Sequence, residues 1–112
     1  MKTLTWIDFE KVEMRIGTIV EVNDFPKAKK PAFQLTIDFG SELGIQKSSA
    51  QITTNYTKEN LIGKQIIAVV NFPKKQIGNF MSDCLVLGSI NQNSEVVLIS
   101  SDIKVENGLR IG

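Results

Sequence analysis

From Val12 to Val22 the chain alternates: Val12, Met14, Ile16, Thr18, Val20 and Val22 are interleaved with Glu13, Arg15, Gly17, Ile19 and Glu21. A period of two is that of a strand with one buried face, here the face of Ile16, Val20 and Val22, with Arg15 on the other. Gly17 in mid-strand predicts a bulge or bend that curls the strand around a small barrel. Phe33, Leu35, Ile37 and Phe39 alternate with Gln34, Thr36 and Asp38 in a second strand closed by Gly40. A turn over Ser41 to Gly44 leads into a third strand, Ile45 to about Ile52, whose run Gln46-Lys47-Ser48-Ser49-Ala50-Gln51 is polar enough to lie on an exposed face. Gln65 to Val70 is apolar on both sides and predicts a buried fourth strand. Asp83 to Ile90 gives a fifth, and Glu95 to Ile99 a further one.

Two helical patterns interrupt this series. Thr5-x-x-Asp8 is a capping-box variant, and Trp6, Phe9 and Val12 follow at helical spacing, which predicts a short helix from Trp6 to about Lys11. So short a helix has little stability alone, so its apolar side chains must pack on the barrel end or on a second subunit. Thr57 to Ile62, followed by Gly63, reads as one helical segment with a glycine cap. Three strands, a helix, then two or more strands is the order of an all-β, five-stranded OB-fold barrel.

Asn71 to Ser82 resists this scheme. It joins two apolar strands, where a tight polar turn would suffice, with Asn-Phe-Pro-Lys-Lys-Gln-Ile-Gly-Asn-Phe-Met-Ser. Connections of that length are functional or disordered, and the phenylalanines, isoleucine and methionine argue against disorder. The stretch is therefore expected to be a binding surface. Phe72, Ile77, Phe80 and Met81 admit three readings: core beneath the loop, a stacking platform for bases, or an apolar groove for extended peptides.

Composition narrows the function. The 112 residues suffice for one domain with a real core, and no apolar run approaches the ~20 residues of a membrane span. The first eight residues reach an acid before any apolar run develops, so no signal peptide is expected. There is no histidine and a single cysteine, Cys84. That excludes Ser-His and Cys-His nucleophilic machinery and His- or Cys-built metal sites. No glycine-rich phosphate loop is present, and the acids are scattered. A non-catalytic protein with no cofactor and no metal is expected. A lone cysteine in an apolar strand fits a packing role and a reducing cytoplasm.

Net charge is +1, yet its distribution is uneven. The windows 25–34, 46–54 and 71–82 hold Lys27, Lys29, Lys30, Lys47, Lys74 and Lys75 and no acid, whereas the rest of the chain carries the other seven basic residues and all 12 acids. Local asymmetry of this kind is the footprint of a polyanion-binding face. Ser48, Ser49, Gln51, Asn71 and Ser82 add groups able to bond backbone or ribose, or to cap loops. Arg15 is either a phosphate contact or the ion-pair partner of Glu13 or Glu21.

Met14-Arg15-Ile16-Gly17-Thr18-Ile19, Leu35 to Gly40, Ser48-Ser49-Ala50-Gln51-Ile52-Thr53, and Val69-Val70-Asn71-Phe72-Pro73 with Gly78 and Ser82 resemble the tRNA-binding OB domain. That domain occurs as an appendage of methionyl- and phenylalanyl-tRNA synthetases and as small free-standing dimers. The similarity runs from roughly Phe9 to Gly112. Phe25-Pro26-Lys27-Ala28-Lys29 stands where synthetase-type members carry His-Pro-x-Ala-Asp, and Ser48-Ser49 where they carry Ser-Gly. Both match the secretion-associated, chaperone-like branch. The resemblance implies tRNA as a partner, and for that branch unfolded preprotein or signal-bearing peptides. It also implies a homodimer joined through N- and C-terminal extensions, for which Leu4, Trp6 and Phe9 are the candidates. Two further roles stay open: an export chaperone in which RNA binding is secondary, and a tRNA-recruiting subunit of a synthetase complex.

Overall fold

A computed structural model describes residues 1–112. Helix α1 (Trp6–Glu10) starts where Thr5 accepts the Asp8 N–H on its side chain at 3.1 Å. The reciprocal half of the box is absent, because the Asp8 carboxylate pairs with Lys11 at 3.4 Å. Strand β1 (Met14–Asp24) is followed by β2 (Phe33–Asp38), a single-turn helix α2 (Gly40–Leu43) in place of the expected turn, and β3 (Ile45–Ala50). Helix α3 (Lys58–Leu61) carries a full capping box between Thr57 and Asn60. Gly63, just beyond it, adopts the left-handed φ of 89° that ends helices cheaply. Then come β4 (Gln65–Val69), a hairpin of β5 (Lys75–Ile77) and β6 (Phe80–Ser82), β7 (Leu85–Val86), and the pair β8 (Gly88–Ile90) and β9 (Val96–Leu98). The expected long fifth strand is thus two short pieces, and the expected 71–82 loop is mostly a hairpin.

The main sheet has the order β3-β2-β1-β4-β7, every pair antiparallel, and it curls into the nearly closed five-stranded barrel of an OB-fold. Its seam lies between β3 and the start of β7. The Asp83 N–H donates to the Lys47 carbonyl at 2.7 Å, and the Asp83 carboxylate accepts the Lys47 N–H at 2.9 Å. Ser82 Oγ takes the Ser49 N–H at 3.3 Å. Two side chains here stand in for backbone carbonyls that a continuous ladder would supply.

The core joins Ile19, Leu35, Ile37, Phe39, Leu61, Ile66 and Ala68 around the barrel axis. Ile19 is fully buried and Val20 is exposed, the reverse of simple alternation. The ladder between β1 and β2 shifts register between Ile19 and Glu21, so the bulge is at Val20 and not at Gly17. Gly17 answers a different need: a Cβ there would lie 2.6 Å from Ile37 Cγ2 and 2.7 Å from Phe39 Cδ1.

The segment after β9 returns to β1. Gly108 N–H donates to the Ile16 carbonyl at 2.7 Å, Ile16 N–H to Leu109 at 3.0 Å, and Ile111 N–H to Met14 at 2.9 Å. The Gln65 side chain holds the same segment, donating to the Val105 carbonyl and Asn107 Oδ1 and accepting from the Val105 N–H and Ser101. Trp6 is 82% exposed and Leu4 is exposed as well, so α1 does not close the barrel end. No helix is long and apolar enough to cross a membrane.

Candidate nucleic-acid interface

The three acid-free windows meet on one side of the barrel. A second apolar cluster makes the join: Phe25 and Ala32 from the first loop bury against Phe80 of β6, with Ala28 and Ile77 alongside. The Phe25 and Phe80 rings lie 5.4 Å apart, tilted by 58°, within the favourable range for aromatic pairs. The Lys27–Lys30 loop is thereby held to the hairpin, and the Asp83 and Ser82 bonds hold the hairpin to β3 beside Lys47.

Hairpin register decides which side chains serve the face. Lys75 opposes Ser82, Gln76 opposes Met81, and Ile77 opposes Phe80. Directly opposed residues share a face and neighbours alternate, so Ile77 and Phe80 point inward while Met81, 44% exposed, points out. Gly78 turns the hairpin at a positive φ of 61°. All six lysines are exposed. Only Lys74 has an acidic partner, Asp83 at 3.6 Å, with the lysine side chain 70% exposed. An exposed pair of that length contributes little, so the face keeps its positive character.

Five of the expected site residues are engaged elsewhere, among them Ser82, whose hydroxyl takes the Ser49 N–H at 3.3 Å and donates to the Cys84 carbonyl at 3.4 Å. Arg15 pairs with Glu13 at 3.0 Å and donates to the Gly108 carbonyl at 2.9 Å. It ties β1 to the returning segment, which withdraws it from phosphate contact. Asn71 accepts the Glu13 N–H at 3.1 Å and donates to the Lys11 carbonyl at 2.6 Å, so its amide seals α1 to the end of β4. The Ser48 side chain is buried, bonded to the Ser49 carbonyl at 3.3 Å. Phe80, 9% exposed, is core of the second cluster and is not offered to a peptide.

Lys47 and Ser49 share the outward parity of β3, Gln51 is exposed just past its end, and all three remain on the face. Phe72, 55% exposed, stands at the rim of a groove of about 320 Å³ that it lines with Pro73, Lys75, Ile77, Ser82, Asp83 and Leu85, among others. A second, more apolar groove of about 350 Å³ adjoins it, sharing Ser49 and Leu85 and running on to Ile90, Val96 and Leu98. The sequence pattern missed Asp83, one residue past an acid-free window, although an acid bordering such a window was a signal to follow. It also missed Leu85 and the second groove. At the groove floor, burial and then the Asp83 carboxylate push the Cys84 thiol up to about 12, so the thiol stays protonated and inert. Away from the face, a hydrogen bond to Asp24, and then its charge, raise the Lys58 pKa.

An OB barrel carrying such a face defines a class. The chain belongs to the family described as the putative tRNA binding domain, whose model matches residues 14–110. Within it the chain is CsaA-like. The crystal structure of the chaperone CsaA from Bacillus anthracis str. Ames is 45% identical, covers 99% of this chain and 100% of its own, and superposes with a TM-score of 0.94. The CsaA chaperone protein from Picrophilus torridus is 51% identical, covering 98% of this chain and 100% of its own, with a TM-score of 0.91. The methionine–tRNA ligase of Methanocaldococcus jannaschii is 28% identical over 102 residues, which is 91% of this chain and 15% of the ligase. The chain thus spans a small fraction of the ligase relatives it matches.

Proposed function

We propose that this chain is a non-catalytic, cytoplasmic, homodimeric tRNA-binding protein with a chaperone-like role in protein export. One observation carries the RNA part: six exposed lysines from three separate stretches converge on one side of the barrel, with a single acid among them. Lys27, Lys29, Lys30, Lys47, Lys74 and Lys75 supply phosphate contacts, which give affinity and orientation without reading sequence. Ser49 and Gln51 lie among them within reach of ribose or backbone groups, beside Ser82, whose hydroxyl is bonded within the barrel seam.

Support for dimerisation comes from unpartnered apolar surface on the N-terminal segment. Leu4, Trp6 and Phe9 form one exposed patch, and Trp6 and Phe9 continue it to Arg110 and Ile111. A twofold axis through this patch sets two basic faces on one particle, and two copies give avidity for a large, curved RNA without new contacts.

The peptide reading has its own support. Phe72 is exposed beside Ile77, Met81 is exposed on the outer face of the hairpin, and the second groove is lined mainly by aliphatic side chains. With Phe80 removed from the list, Phe72, Ile77 and Met81 remain the peptide candidates. Competition between tRNA and a signal-bearing peptide for the same protein tests both. RNA binding is expected to fall steeply between about 50 and 200 mM salt, and flat binding across that range removes the tRNA reading. Mutual displacement places both ligands on one surface. Co-purification with a synthetase and no stable dimer would favour the role of a tRNA-recruiting subunit instead.

A further inference from the structure

A polyanion-binding face has no electrostatic use for a carboxylate, yet Asp83 sits in its central groove. We infer that Asp83 and Phe72 form a subsite for one unstacked guanine, the point at which this face reads base identity. The inference rests on the RNA-binding reading above and adds specificity to a surface otherwise built for phosphate.

The two oxygens of Asp83 are not equivalent. Oδ2 is committed to the Lys47 N–H at 2.9 Å, closing the barrel seam. The partner of Oδ1 is Lys74 Nζ at 3.6 Å, on a side chain 70% exposed, whereas that of Asp83 is only 20% exposed. An ionised carboxylate accepts and does not donate. A shielded acceptor of this kind therefore selects a base edge that presents donors.

Guanine presents two adjacent donors, N1–H and the exocyclic amino group. Adenine and cytosine place a ring-nitrogen lone pair beside their amino group, and uracil flanks its single N–H with two carbonyls. None of the three presents two adjacent donor groups, so only guanine converges two N–H groups on Oδ1. Phe72 lines the same groove and is itself more than half exposed. It offers an aromatic surface on which a splayed base stacks, and a purine covers more of it. The groove, about 320 Å³, is at the small end of ligand sites, suited to one nucleoside. Lys75 lines it and Lys74 pairs with Asp83, so both are placed for the flanking phosphates.

The test is fluorescence anisotropy on short oligouridylates that carry guanosine, inosine or uridine at one central position. The unmodified protein is expected to bind the guanosine oligomer roughly tenfold more tightly than all-uridine, the return from one hydrogen bond to a charged acceptor. Inosine, which lacks the amino group, falls between. Asp83→Asn keeps an oxygen for the Lys47 N–H and presents an amide donor at the free position, so the guanosine preference disappears while tRNA binding persists. Phe72→Ala weakens every oligomer on the order of tenfold. Equal affinity of the unmodified protein for the guanosine, inosine and uridine oligomers overturns the subsite and leaves the tRNA reading standing, provided tRNA still binds with steep salt dependence. Failure to bind either the oligomers or tRNA overturns both. Should Asp83→Asn fail to fold, the guanosine–inosine comparison in the unmodified protein decides alone.

Discussion

Two apolar clusters of unequal size divide the labour. The main one joins 11 buried residues from the three barrel strands β1, β2 and β4, from α3 and from the segments around them, and it is what folding the barrel consists of. The satellite has three, Phe25, Ala32 and Phe80, drawn from a loop and a hairpin. It buries little area, yet it packs the Lys27–Lys30 loop against the hairpin that carries Lys75. A cluster that small opens at lower free energy than the barrel does. The shape of the basic face is therefore set by a local unit that can loosen while the sheet beneath it stays intact.

The largest expected effect comes from the main cluster. Phe39→Ala removes a fully buried ring and is expected to cost about 4 kcal/mol, read as a fall in the denaturation midpoint with both regions lost together. Phe80→Ala should cost less, about 2 kcal/mol, since its site at the edge can collapse more fully. Amide exchange should then quicken in residues 71–82 and 25–32 and stay slow in β1, β2 and β4. A uniform acceleration would merge the two clusters into one cooperative unit. Lys75→Ala touches neither cluster, so stability should hold within about 0.5 kcal/mol, while the logarithmic salt slope of RNA binding drops by about 1. Smallest of all, Cys84 belongs to the main cluster but floors the groove of the face. With its thiol pushed up to about 12 by burial, it should resist alkylation at neutral pH until the barrel unfolds. Rapid labelling of the folded protein would mean that this border opens with the hairpin.

Strand periods carried most of the barrel into view, because Phe33, Leu35 and Ile37 bury in strict alternation. The same rule failed at Ile19 and Val20. Two adjacent apolar residues fit either register, and only the pairing with β2 reveals the shift. Phe80 and Met81 pose the same problem. They are neighbours of similar hydrophobicity, one inside and one outside, and their parity follows from a hairpin whose existence the mixed composition concealed. The basic face was legible because a run without acids survives any fold that joins its pieces. Asn71 and Arg15 were not, since an amide or guanidinium serves a ligand or a distant carbonyl equally well, and the carbonyls of Lys11 and Gly108 are assigned only by tertiary structure.

The return of residues 108–111 to β1 carries a consequence for assembly. Arg15 and Gly108 are bonded across 93 positions of sequence, so the first strand waits for its last partner until the segment around Gly108 has been synthesised. Loop-closure entropy grows only slowly with length, and the delay is one of order more than of energy. On a ribosome the barrel can pair β1 with β2 and then with β4 while the other edge of residues 14–16 still lacks its partner. The segment that completes that edge also brings Arg110 and Ile111 beside Trp6. Until that segment arrives, residues 14–16 keep one open edge, and the chain's own later residues are what close it.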